Sequence, residues 1–178
     1  MVYEQTRLSR PLSRIELTVS IILICLFIGI FIRKILVLTA AAEATALELM
    51  IRNMRSGVMV KVADLIVKGD YQGIAELAKS NPMSVLETPA GVYKGILPEG
   101  DSSEIEAGKW YYDKEGKQLI YDVVNTDYFI TEGSIPGRIR VRFRLNYEDR
   151  NNNGNYDSGT DIPRGVSIDV MDKYRWTY

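Results

Sequence analysis

The sequence predicts an α+β fold: a long N-terminal helix, half membrane-spanning and half amphipathic, packed on a small antiparallel β-sheet. Three observations carry the prediction. The run from Ile15 to Ile32 is apolar apart from Glu16. Apolar residues at helical spacing continue past it to the neighbourhood of Lys68. After Trp110 the period falls to two, as in strands with one buried face.

The apolar run comes first. At helical rise it spans roughly 27 Å, close to the hydrocarbon thickness of a bilayer. A buried core helix of that length would show a polar face, and this run offers only Thr18, Ser20 and Gly29. Arg7, Arg10 and Arg14 resemble the basic region of a cleaved secretory signal. The run is long for such a signal, however, and no small-residue cleavage site follows before Arg33-Lys34. A retained anchor is predicted, with residues 1–14 a cytoplasmic basic leader and residues 15–34 the transmembrane half-helix. Three basic residues before the span against two after it place the N-terminus in the cytoplasm.

Residues 35–82 form the amphipathic helix and a short second helix. No proline occurs between Ile35 and Lys68, and the only glycine there is Gly57. "LTAAAEATALELMIRNMRS" is rich in strong helix formers. Leu47, Ile51, Met54, Val58, Val62 and Leu65 make one stripe, with Glu48 and Arg52 an i, i+4 pair on the other side. Gly69 stops the helix, and Asp70 caps a second one ending at Asn81-Pro82. One helix from Ile15 to Lys68 would be roughly 80 Å long. A small domain cannot cover that length, so lipid or like helices must cover its first half.

Residues 83–178 form the extracytoplasmic sheet domain. Residues 83–108, with their prolines and glycines, predict a connecting loop. "KWYYDKEGKQLIYDV" is a hairpin turning at Lys114-Glu115-Gly116. "RIRVRFRLNY" puts Ile139, Val141, Phe143, Leu145 and Tyr147 on one face and four arginines on the other. Val166, Ile168 and Val170 repeat the alternation. The distal half of the long helix is expected to cover the apolar face.

Composition narrows the function. The 178 residues suffice for one small domain with an appendage. Histidine is absent, which removes the commonest general base and zinc ligand. No phosphate-binding glycine loop occurs, and the single cysteine, Cys25, lies in the apolar run. A non-enzymatic role follows. A net charge of −1 offers no general attraction to nucleic acid, and no nucleic-acid partner is expected. The arginine row of Arg138, Arg140, Arg142 and Arg144 is then a solvated face neutralised by neighbours such as Asp169, the alternative being a docking surface for an acidic partner subunit or for DNA phosphates.

This order of elements resembles that of type IV pilins and type II secretion pseudopilins. Their signature is Gly-Phe-Thr-Leu-Ile-Glu-Leu, cut after the glycine. "PLSRIEL", Pro11 to Leu17, aligns with it: Ile15, Glu16 and Leu17 match, while Leu12 and Ser13 are conservative substitutes. Pro11 replaces the glycine and Arg14 an apolar residue, so any cut would fall between Pro11 and Leu12. The resemblance implies that Glu16 sets register between subunits by pairing with the N-terminal amine that processing creates on a neighbour. If Pro11 blocks processing, Arg14 of a neighbouring subunit is the candidate cation.

The second informative stretch is "DRNNNGNYDSGTD". Asp149, Asn151 and Asn153, then Gly154 and Asp157, follow the oxygen-ligand spacing of a calcium loop, with the Asn155 carbonyl as a further oxygen. The glutamate expected at the twelfth position is replaced by Thr160, with Asp161 one later as the remaining candidate calcium ligand. An Asn/Gly-rich turn accounts for the same residues without a metal.

The expected protein is a pilin-like or pseudopilin-like subunit in the bacterial inner membrane, its C-terminal domain periplasmic. Its partners would be like subunits and secretion-machine components, with calcium as a ligand. The alternative is a single-pass anchored extracytoplasmic binding domain outside any filament.

Overall fold

The computed structural model describes residues 13–87, 91–97 and 105–178. Its contacts divide the chain into two units, Met1–Thr39 and Ala40–Tyr178. Helix α1, Arg14–Val67, has residues in both. The sequence boundary at residue 34 falls five residues before that division.

In the first unit the described residues are helix from Arg14 on. Every residue from Ser13 to Leu36 is exposed. One window of this helix has a mean hydropathy of 2.8 with no part buried, long and apolar enough for one membrane crossing. Thr18 and Ser20 donate their hydroxyls to the carbonyls of Arg14 and Glu16, four residues back. That bond satisfies a polar side chain inside an apolar segment without a partner chain.

In the second unit α1 buries Ala40, Ala44, Leu47, Ile51, Met54, Val58 and Val62. These recur every three or four residues and so line one face. Leu65, the last residue of the predicted stripe, is half-buried. Met54, Leu119, Ile139 and Val141 are fully buried in the shared core, and such side chains contribute about 1.5–3 kcal/mol each. Gly57 sits where a Cβ would meet the Val85 carbonyl oxygen at 2.6 Å. The glycine is there for close approach.

Gly69 adopts φ 70° just after α1, the left-handed stop that glycine permits. Asp70 then caps α2, Tyr71–Leu77, by accepting from the Gly73 N–H at 2.8 Å. The helix is shorter than expected, and a 3₁₀ turn at Pro82–Val85 follows.

Among the described residues seven strands follow: β1 Tyr93–Ile96, β2 Trp110–Asp113, β3 Gln118–Asp122, β4 Phe129–Thr131, β5 Arg138–Glu148, β6 Ile162–Val170 and β7 Tyr174–Trp176. Five form one sheet in the order β1-β2-β3-β5-β6, and β4 pairs with β7 separately. The α+β fold is as expected; one pairing is added to it and one expectation is corrected. The sheet is mixed, because β1 runs parallel to β2. The stretch expected to be a loop, 83–108, contains β1, whose four residues and interior Gly95 gave no strand period. The remaining pairs are antiparallel, including the β2–β3 hairpin. β5 alternates as expected, with Ile139, Val141 and Phe143 buried and Arg142 and Arg144 exposed.

Candidate functional site

Pro11 and Leu12 lie outside the described residues. Arg14 and Glu16 open α1, both exposed. Glu16 does not meet Arg14 within the chain. Its Oε2 accepts from the Ser13 N–H at 2.8 Å, while Ser13 Oγ accepts from the Glu16 N–H at 3.2 Å. That reciprocal pair is a capping box, and it satisfies two of the orphan N–H groups of the helix start. The signal was in the sequence as Ser-x-x-Glu, Ser13 to Glu16. A carboxylate just ahead of an apolar segment thus has a structural use that needs no second subunit.

The loop Asp149–Asp161 joins β5 to β6 and is shaped by its own side chains. Asp149 Oδ2 accepts from the Gly154 N–H at 2.7 Å. Asn151 and Asn153 accept from the amides of Asn153 and Asn155, at 3.1 and 2.7 Å. Both also donate their NH₂ groups to Asp157 Oδ2, at 2.8 and 2.6 Å. These donors hold the Asp157 carboxyl below the usual carboxylate range. Asp161, 5% exposed, accepts from the Arg150 and Asp157 N–H groups at 3.0 and 2.7 Å. Left-handed backbone at Asn152 and Gly154 turns the chain tightly enough to bring these groups together. Asn155 donates its backbone N–H into the turn.

One atom stands out. Asp149 Oδ1 is buried and has no hydrogen-bond partner. A buried carboxylate oxygen with no protein donor is expensive, and a cation would relieve it. The loop's other donors are amide, peptide and carboxylate oxygens, the hard ligands that calcium prefers. No cluster of three or more carboxylate, cysteine or histidine side chains converges as a metal set among the described residues. A cation here would therefore rest on asparagine and peptide oxygens as well as on Asp149 and Asp157.

The arginine row is largely neutralised within the domain. Arg138, 8% exposed, makes a two-pronged contact with Asp122 at 2.6 and 2.9 Å. Arg140 does the same with Asp172, at 3.0 and 2.7 Å, and adds its backbone N–H at 2.9 Å. The Arg140 guanidinium in turn holds the Asp172 carboxyl below its usual range. Arg142 meets its register partner Asp169 at 3.4 Å, as the sequence suggested. Arg144 has no ion pair among the described residues.

Glu43 was invisible in the sequence. Its carboxylate accepts from the Tyr121 hydroxyl, the Val124 N–H, the Asn125 N–H and the Asn125 side-chain amide, at 2.8, 2.7, 2.9 and 2.6 Å. Burial, and then the bond to Glu43, push the Tyr121 hydroxyl far above its ordinary pKa. One residue of α1 thus anchors the segment after β3.

No protein-family model, no curated protein and no solved structure matches the chain.

Proposed function

We propose that the chain is a membrane-anchored, pilin-like structural subunit of a type II secretion or type IV pilus-type assembly, without enzymatic activity. One observation carries the reading: an uninterrupted helix of 54 residues is wholly uncovered and apolar in its first part and is the core element of a sheet domain in its second. An apolar helix face uncovered by its own chain is covered by lipid or by other helices. Both coverings are what a subunit moving from membrane to filament requires. The anchor lies in a bacterial inner membrane, N-terminus in the cytoplasm and sheet domain in the periplasm.

Calcium belongs to the same reading. Asp149, Asn151, Asn153, Asp157 and the Asn155 carbonyl would hold it, with Asp161 fixing the loop behind them. The ion would neutralise the loop's carboxylates and lock the β5–β6 connection, and Asp149 Oδ1 is the observation that supports it.

A second reading keeps the chain as an anchored extracytoplasmic binding domain outside any filament. Glu16 favours it, since its carboxylate is already engaged by Ser13. Intact mass of the protein from its native membrane, together with its recovery in sheared surface filaments, separates the two. A mass lacking residues 1–11 with recovery in filaments supports assembly. Full-length mass confined to the membrane fraction refutes it and leaves the anchored domain.

A further inference from the structure

The cations of β5 are matched unequally, and the mismatch falls where the sheet is incomplete. β3 pairs with β5 only from Arg138 to Arg142, whereas β6 pairs with it from Val141 to Glu148. From Phe143 onward β5 has a strand on one side only among the described residues. A cleft of about 590 Å³ opens there. Lys117, Arg142 and Arg144 line it with Leu145 and Ala78, and Asp169 is the only carboxylate among its described lining residues. Asp169 is engaged by Arg142. Lys117 and Arg144 are exposed and have no ion pair among the described residues. Lys117 also holds φ 49°, a left-handed backbone where the hairpin turn returns to β3.

A strand edge carries unpaired N–H and C=O groups, and charged side chains commonly guard it. Here the cations border a cleft large enough for several residues, next to apolar Ala78 and Leu145. We propose that the open edge of β5 takes an extended acidic segment of a partner protein as an added strand. Its backbone pairs with β5 beyond Arg142. Side chains of an added strand alternate between faces, so carboxylates at every second position meet Lys117 and Arg144. The residues between them are apolar and lie toward Ala78 and Leu145. The recognised chemistry is a short acidic–apolar alternation. This goes beyond the filament reading and does not rest on it, because an anchored domain could use the same edge.

The test uses the full-length chain in nanodiscs of uncharged phosphatidylcholine. Its probe is a fluorescein-labelled peptide of alternating glutamate and valine, followed by anisotropy. The acidic peptide is expected to bind. Its glutamine counterpart should bind about tenfold more weakly, with the difference shrinking as salt is raised. N-methylation of alternate peptide amides, in the register facing the edge, should abolish binding while leaving every charge in place. Arg144→Gln and Lys117→Gln should each weaken binding several-fold. Both positions are exposed, and near-ultraviolet circular dichroism checks their fold. Absence of binding overturns the proposal. So does binding indifferent to N-methylation, or displacement by inorganic phosphate alone, which would mark a simple anion site.

Discussion

Replacing Glu43 tests how the second unit is held together. The carboxylate takes four hydrogen bonds, two of them from backbone N–H groups. Glu43→Gln keeps the size but swaps one oxygen for an NH₂ group facing donors. At least one donor must then lose its acceptor, and the remaining bonds lose their charge. Bonds to a charged acceptor contribute about 1.5–3 kcal/mol each, but they share one carboxylate and are not additive. Val124 is 57% exposed, so water rescues part of that end. The expected loss is about 3 kcal/mol, a fall in Tm of roughly 10 °C for a unit of this size. The chain's two tryptophans, Trp110 and Trp176, both lie in the second unit, and the Trp110 ring is 5.0 Å from that of Tyr121. Tryptophan fluorescence of the full chain in detergent during urea unfolding therefore reports the affected region. A Tyr121→Phe partner closes a double-mutant cycle, with a coupling of about 1 kcal/mol expected. If Glu43→Gln stays within about 0.5 kcal/mol of the parent, the scale of an ordinary surface change, the anchoring role is wrong.

Three further outcomes can be checked with the same unfolding assay. Gly57→Ala should destabilise by about 1 kcal/mol although alanine favours helix, because the new Cβ meets the Val85 carbonyl at 2.6 Å; a more stable variant would show that the 3₁₀ turn yields freely. Asp172→Asn should cost about 2 kcal/mol at neutral pH by leaving Arg140 short of its partner. The folded carboxyl of Asp172 is depressed, so its contribution is present above the ordinary carboxylate range and lost as pH falls through the folded value. The difference from the parent should accordingly vanish in acid, and one that persists there would assign the cost to packing. Calcium should raise Tm reversibly to chelator, by the equivalent of about 2.7 kcal/mol at a hundredfold excess over Kd, and Asp149→Ala should abolish the rise. An unchanged Tm on adding calcium to the parent would leave the loop an asparagine-rich turn.

The sequence by itself determined the elements with a strong period or a strong stop. The apolar run, the stripe from Leu47 to Val62, the stop at Gly69, the hairpin after Trp110 and the alternation of β5 follow from spacing and local backbone preference alone. Spacing also located the loop Asp149–Asp161, because a tight turn brings alternate residues of one short segment together. The capping box is equally local, legible in the Ser13-x-x-Glu16 spacing. Tertiary structure decided what depends on distant partners. The parallel seat of β1 beside β2 leaves no mark in four residues. Glu43 looks like any helix-surface glutamate until the segment after β3 is brought to it, 78 to 82 residues along the chain. The four arginines read alike in sequence, yet Asp122, Asp172 and Asp169 neutralise three and leave Arg144 at an open edge. Periodicity is a property of neighbours in sequence, whereas charge pairing and strand order are properties of neighbours in space.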